Sequence, residues 1–217
     1  GHVGPRSSFV LWQQQIQVLL DAKVDDPTAF QIVFAGGVHD GLSAAMVSAL
    51  SARLVERGMN VGVLMGTSYL FTHEAVRCGA INDEFQRQAV ACRETVLLES
   101  GVGHATRCAR TVFAEEFNVY KNELIRSGKT SDEIRLELEL LNIGRLRIAS
   151  KGQTRQSNPG VEGSKGTLVT IDVDEQRRTG MYMIGQVAAL RDRTLSMAEL
   201  HAEVVEGCAA RLRGDVF

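Results

Sequence analysis

Proline, aromatic residues and excess charge are all scarce in this sequence. Three prolines among 217 residues, against 21 glycines, leave glycine as the main punctuation of the chain. Lys and Arg number 24 and Asp and Glu 26, a formal charge of -2. That balance excludes the basic footprint of a nucleic-acid or anionic-membrane binder. No apolar run approaches the ~20 residues of a bilayer span, and no secretory pattern is visible. The four cysteines (Cys78, Cys92, Cys108, Cys208) form no C-x-x-C pair and have no histidine at zinc-ligand spacing. A structural metal is therefore not expected, and reduced thiols in a cytoplasmic protein are. With 44% hydrophobic and 23% charged residues, the composition is that of an ordinary globular protein of one domain or one and a half.

Two short apolar runs end in glycine. Residues 31–35 (QIVFA) precede Gly36-Gly37, and residues 61–65 (VGVLM) precede Gly66-Thr67. Neither alternates polar with apolar, which predicts strands buried on both faces, as in a parallel sheet. Between them Leu42, Ala45, Met46, Ala49, Leu50 and Leu54 form the stripe of a covering helix, stopped by Gly58. The spacing of the two glycine turns, about thirty residues, is that of one βαβ unit. Upstream, residues 9–20 read as a further covering helix.

Beyond residue 83 the pattern is helical and more polar. Helices are expected over 84–92, 114–126 and from a Thr130–Glu133 capping box to about Asn142. Thr95 to Leu98 reads as a short extended piece. Residues 153–166 (QTRQSNPGVEGSKG) are polar and aperiodic and read as a flexible linker. Residues 181–191 read as helical, and Ser196-x-x-Glu199 caps a last helix to about Leu212.

Glycines at the carboxyl ends of parallel strands are the natural place to look for ligand chemistry. A glycine lets main chain approach an anion, and amides at a following helix start supply donors. Gly36-Gly37 and Gly66-Thr67 together predict a phosphate cradle of two sets of amides and one hydroxyl. Tight turns that merely pack helix on strand are the alternative.

The segments AGGVHDG (residues 35–41) and VLMGTSYLFTHEA (residues 63–75) resemble the FMN-binding half of the nitronate monooxygenase and FMN-dependent enoyl reductase superfamily. The opening Gly1-His2-Val3-Gly4 is similar to the end of that family's GGH-x-G loop. HVGPRSSFVLW, LMGTSYLFT, ESGVGHATRC, GRLRIASKG and GMYMIGQVAALRD resemble most the enoyl-reductase-like branch that accompanies bacterial polyketide and polyunsaturated-fatty-acid synthases. The resemblance covers nearly the whole chain. It implies an α/β fold, the C-terminal part of a TIM (β/α)8 barrel followed by a mainly helical extension. Residues 1–100 would be the barrel part, 101–152 the helical extension, 153–168 the linker and 169–217 a C-terminal helical segment.

The same resemblance makes His2 the catalytic imidazole. Gly36, Gly37, Met65, Gly66 and Thr67 become contacts of the FMN phosphate, with Gly1 and the backbone of Leu64 as weaker ones. NAD(P)H would be the co-substrate of an enoyl reductase acting on enoyl thioesters, with carrier-bound acyl chains and polyketide or fatty-acid synthase subunits as partners. Oxidation of alkyl nitronates with oxygen is the alternative activity, and a non-catalytic docking piece the alternative of another class. A full barrel takes ~250 residues, and the chain begins without methionine. It is therefore expected to be the C-terminal piece of a longer enzyme, to expose apolar surface, and to bind FMN weakly or not at all by itself.

Other residues have plainer readings. His39 either touches ligand or caps its loop. His73 is expected at the surface, and His104 in structural packing with Arg107 nearby. Lys151 could reach a phosphate or an acyl carrier. Glu115, Glu116, Glu133, Glu137 and Glu139 read as solvated helix faces, and the cysteines as small buried side chains without a low-pKa thiolate.

Overall fold

The computed structural model describes residues 2–4, 6–156 and 166–215, with only the backbone of His2. In chain order the elements are β1 (His2–Val3), α1 (Ser8–Asp21), β2 (Gln31–Ala35), α2 (Gly41–Glu56), β3 (Asn60–Leu64), α3 (His73–Arg77), α4 (Asp83–Ala91), β4 (Thr95–Gly101) and β5 (His104–Ala109). There follow α5 (Val112–Arg126), α6 (Ser131–Asn142), α7 (Arg145–Lys151), β6 (Gln153–Gln156), β7 (Thr167–Thr170), α8 (Val173–Thr179) and α9 (Met197–Arg213). They divide into two compact units. One comprises residues 4–74 and 194–217, the other residues 1–3 and 75–193.

The first unit is built on a βαβ core. β2 and β3 pair in parallel, Ile32 beside Val61 and Ala35 beside Leu64. Phe34 is buried on the helix side, where the Trp12 ring of α1 meets it edge-on with ring centres 6.1 Å apart. The Trp12 indole N–H donates to the Ala35 carbonyl at 3.1 Å, fixing α1 across the end of β2. α2 opens on a reciprocal cap in which Asp40 and Ser43 satisfy each other's backbone N–H, a device that closes a helix start without solvent. Its buried face is Gly41, Ala44, Ala45, Val47, Ser51 and Leu54. α9 lies against this face so closely that a Cβ on Gly41 would overlap the Gly207 carbonyl carbon. Glycine at position 41 is thus a packing requirement, while an added Cβ at Gly207 would be tight, at 3.3 Å from the Gly41 Cα.

Two sequence expectations are corrected here. The strands are not buried on both faces: Val33 is 56% and Leu64 55% exposed, on the face opposite the helices. A pair of strands has one helical layer to lean on, and the other face finds none among the described residues. The expected stripe of α2 is likewise only half right, because Leu42 (52%) and Met46 are exposed while Ala44 and Val47 are buried. The seating of α9 rotates the buried face. The expectation of exposed apolar surface agrees with both findings. A groove of about 600 Å³ also opens along β2 and α1, lined in part by Leu11, Val18, Phe30 and Val33.

The second unit holds an antiparallel sheet in the order β1-β5-β4. β4 and β5 form a hairpin where only a short extended piece was expected. On the far side of β5, His2 pairs with Thr106 and Val3 with Ala105. Further along the same edge the Ala109 N–H donates to the Tyr182 carbonyl at 2.9 Å. α5 and α6 pack on this sheet through Leu98, Cys108, Phe113, Phe117, Leu124 and Leu138. The Thr130–Glu133 capping box of α6 and the Ser196–Glu199 box of α9 form as expected. Helix is absent from 180–185; a short 3-10 turn spans Gln186–Leu190 instead. The polar stretch read as a linker begins as strand β6, paired with β7; residues 157–165 lie outside the described residues.

One buried charge ties this unit together. Glu84 in α4 is 2% exposed and accepts from the Arg177 guanidinium at 2.7 and 3.2 Å, from Arg87 at 2.9 Å and from Gln88 at 2.8 Å. Burial alone would raise its pKa, but the Arg177, Gln88 and Arg87 hydrogen bonds reverse this and bring it from 4.5 to about 2. A depressed carboxyl contributes stability that is complete above its unfolded pKa of about 4.5 and is lost as pH falls toward about 2. Glu84→Gln is therefore expected to cost about 2 kcal/mol near neutral pH and to flatten the acid limb of the stability curve. Denaturation midpoints at neutral and acidic pH test this; parallel curves for the two proteins would contradict it.

Candidate functional site: two glycine turns at one end of a parallel strand pair

Because β2 and β3 run parallel with Ala35 opposite Leu64, the turns that follow them leave the same end of the sheet side by side. The first turn carries Gly36 and Gly37 at φ +102° and +86°, a left-handed region that costs an L-residue roughly 1–2 kcal/mol. A Cβ on Gly36 would also strike the Ser8 hydroxyl at the start of α1. Gly37 has no atom within 4 Å of where its Cβ would stand, so only its backbone angle argues for glycine.

The second turn runs through Met65 and Gly66 into a 3-10 helix, Thr67–Phe71. Gly66 has φ -113°, which suits any residue, and nothing lies within 4 Å of an added Cβ. Neither strain nor crowding within the chain calls for glycine there. Ser68, fully buried, donates its hydroxyl to the Val38 carbonyl at 3.4 Å and so ties the second turn to the first.

The donors available at this end are main-chain amides. Among the described residues the N–H groups of Gly37, Met65 and Gly66 make no hydrogen bond. The helix start that follows the first turn is different. The expectation that α2 would offer its own first-turn amides is corrected by the Asp40–Ser43 cap, in which the Ser43 N–H donates to the Asp40 carboxylate at 2.8 Å. Burial pulls the Asp40 pKa upward, but the Ser43 hydroxyl and amide, with His39 and Arg211, hold it below the ordinary carboxylate value. An anion at the turns would thus meet loop amides while the Asp40 charge is spent on the helix start.

The other candidates are placed as follows. Leu64 ends β3 with its side chain on the bare face, Met65 is half-buried, and Thr67 opens the 3-10 turn. His39 donates from Nδ1 to the Gly37 carbonyl at 2.8 Å and faces the Asp40 carboxylate from Nε2 at 3.7 Å. That is a brace across the first turn, one of the two roles expected of it. Gly1 and the side chain of His2 lie outside the described residues. The backbone of His2 belongs to the other unit, in β1.

His73 is exposed, as expected. His104, exposed rather than packed, pairs with Glu139 at 3.1 Å, and Arg107, in the same strand, donates to Thr95 at 3.1 Å. Lys151 is engaged by the Gly79 and Ala80 carbonyls.

Sequence reasoning missed two contacts of α9 with this region. The Tyr69 hydroxyl and His201 Nε2 share a hydrogen bond at 2.7 Å, with the rings near-perpendicular. Gly207 abuts Gly41 at the foot of the first turn. Both partners are distant in sequence and carry no local motif, so periodicity alone offered no signal for them.

The fold and site together define a mixed α/β protein with paired glycine turns after adjacent parallel strands. No protein-family model matches the sequence, and no curated protein matches it. Among solved structures it is similar to FabK from Thermotoga maritima, at 22% identity and a TM-score of 0.63, over 100% of this chain and 54% of that one. The M276A mutant of the same protein matches at 22% identity and a TM-score of 0.59, over 100% of this chain and 52% of that one. The chain thus spans about half the length of the FabK structures it matches and shares its fold with that half.

The cysteines divide by environment. Cys92 and Cys108 are buried, Cys208 is half-buried and Cys78 is exposed, against the expectation that all four would be interior. Burial raises the Cys92 thiol and pushes Cys108 up to about 12, so neither offers a thiolate near neutral pH. A maleimide or disulfide reagent should modify Cys78 first and Cys208 more slowly, with Cys92 and Cys108 protected until denaturant is added. Peptide mapping of a time course tests this, and early modification of Cys108 would overturn it.

Proposed function

We propose that the chain provides the FMN-phosphate turns and the catalytic histidine of an FMN-dependent oxidoreductase of the nitronate monooxygenase and enoyl reductase superfamily. Its substrates would be enoyl thioesters in polyketide- or fatty-acid-type biosynthesis. The observation that carries the reading is Gly66, a glycine that neither its backbone angle nor any neighbour in the chain requires, beside amides of Gly37, Met65 and Gly66 that have no partner among the described residues. A group that must approach the main chain from outside accounts for both.

Two further facts support it. The turns that resemble the family's FMN loops follow adjacent parallel strands at one end of a sheet. The fold is similar to about half of FabK, an enoyl-ACP reductase of that superfamily. On this reading the fold corresponds to the C-terminal part of a TIM barrel with its extension.

Gly36, Gly37, Met65, Gly66 and Thr67 would hold the phosphate, through amides and the Thr67 hydroxyl, with Gly1 and the Leu64 backbone in supporting positions. Bound FMN supplies hydride transfer from NAD(P)H to the β-carbon of an enoyl thioester. His2 would move the proton that accompanies it, or polarise the thioester carbonyl, a task suited to an imidazole of unperturbed pKa ~6.5. Acyl groups would arrive on a carrier of the synthase that the enzyme serves.

Gly66→Ala separates this reading from a purely structural one. The substitution should change folding stability by no more than about 0.5 kcal/mol, while a methyl group placed where the phosphate must approach should weaken FMN binding at least about tenfold. Equilibrium dialysis against FMN and thermal unfolding, both on the complete oxidoreductase, measure the two; unchanged FMN affinity would overturn the assignment. Activity is tested by anaerobic flavin reduction with NADPH followed by reoxidation with an enoyl thioester, with His2→Ala expected to slow the second step. Oxygen-dependent turnover of an alkyl nitronate without NADPH would assign the protein to the alternative activity.

A further inference from the structure

We infer that His201, on the C-terminal helix α9, is a positioning residue for the second glycine turn and acts on it through Tyr69. The inference rests on the flavin-phosphate reading of the two turns. Tyr69 lies in the middle of the 3-10 helix whose first residue is Thr67 and whose cap is Gly66. Its carbonyl receives the Thr72 hydroxyl at 2.8 Å, and its N–H donates to the Gly66 carbonyl at 3.1 Å, so the turn moves as a piece with the Tyr69 backbone.

That piece is fastened to the α9 segment at two places. At its end, the Leu195 N–H donates to the Phe71 carbonyl at 3.1 Å and the His73 N–H to the Leu195 carbonyl at 2.9 Å. At its middle, the Tyr69 hydroxyl meets His201 Nε2 at 2.7 Å. The backbone pair sets where the turn ends, and the side-chain pair sets how it is rotated, which decides where the Gly66 and Thr67 donors point.

The same helix also fixes the first turn from below. Gly207 packs on Gly41, and Arg211 donates to the Gly207 carbonyl at 3.0 Å while its charge acts on Asp40. α9 therefore touches the structure beneath both turns and sets the gap between them. An anion held by amides from both sides depends on that gap at the scale of a hydrogen bond. His201 does not need to touch the ligand to govern this.

The test compares FMN with riboflavin, which lacks only the phosphate, on the complete oxidoreductase to which the chain is proposed to belong. Flavin fluorescence titration gives a dissociation constant for each, and their ratio reports the phosphate grip alone. The unmodified protein should prefer FMN. His201→Ala and Tyr69→Phe should each reduce that preference about fivefold to tenfold, the scale of one lost hydrogen bond, with riboflavin affinity and thermal midpoint little changed. His201→Gln, whose amide can still meet the Tyr69 hydroxyl, should restore most of it; a merely structural role would not give this rescue. An FMN preference unchanged in both His201→Ala and Tyr69→Phe would overturn the positioning role and leave the flavin reading intact. Equal affinity of the unmodified protein for FMN and riboflavin would overturn the phosphate reading, and the role of His201 with it.

Discussion

The parallel, in-register pairing of β2 with β3 is what the rest of the candidate site depends on. In an antiparallel pair successive turns fall at opposite ends of the strands; here Ala35 and Leu64 stand opposite each other and release the chain in the same direction. The two turns share an end because a helix, α2, carries the chain back between them. A strand pair that slipped by one residue would move Leu64 off the bare face and send Met65 and Gly66 to a different height from Gly36 and Gly37. The Ser68–Val38 hydrogen bond and the Trp12–Ala35 hydrogen bond both act at this end of the sheet, so each resists such a slip.

Five glycines of the first unit do three different jobs, and geometry tells them apart. Gly36 and Gly37 are held in left-handed backbone conformations, and Gly36 is crowded by Ser8 as well. Gly41 and Gly207 have ordinary backbones but lie against each other, where a side chain at Gly41 would prise α9 from α2 and one at Gly207 would be tight. Gly66 has neither constraint. A glycine that the fold does not need is the most informative of the three about what approaches from outside.

Much of the first unit was legible in the sequence because its signals are local. The apolar runs at 31–35 and 61–65, the intervening helix, the Ser196–Glu199 cap and the last helix all follow from residues within a few positions of one another, as does the Thr130–Glu133 cap in the other unit. What was not legible is set by partners far along the chain. Which face of α2 is buried depends on Gly207; the state of 181–191 depends on Ala109 and Arg107, whose backbone groups pair with Tyr182 and Ile184 and draw that segment out along the sheet. The β5 strand reads as polar and broken (HATRCA), yet it becomes the centre of its sheet because β4 and β1 flank it. In the site, the glycines could be read but the Asp40–Ser43 cap, which closes the start of α2 to other ligands, could not be told from an ordinary polar turn.

The first unit is discontinuous: its βαβ core is complete by residue 74, while α9 arrives only after the 75–193 segment has been made. On a ribosome adding ~5–20 residues per second, that interval is on the order of ten seconds. For its duration the nascent βαβ piece has its strands and both glycine turns but not the helix that packs on Gly41. A piece this small, with two strands, is marginal alone. Its maturation is thereby timed by the synthesis of the intervening unit, and a pause or stop codon before residue 197 would leave a chain with both glycine turns made but without Gly207 to pack on Gly41 or His201 to meet Tyr69.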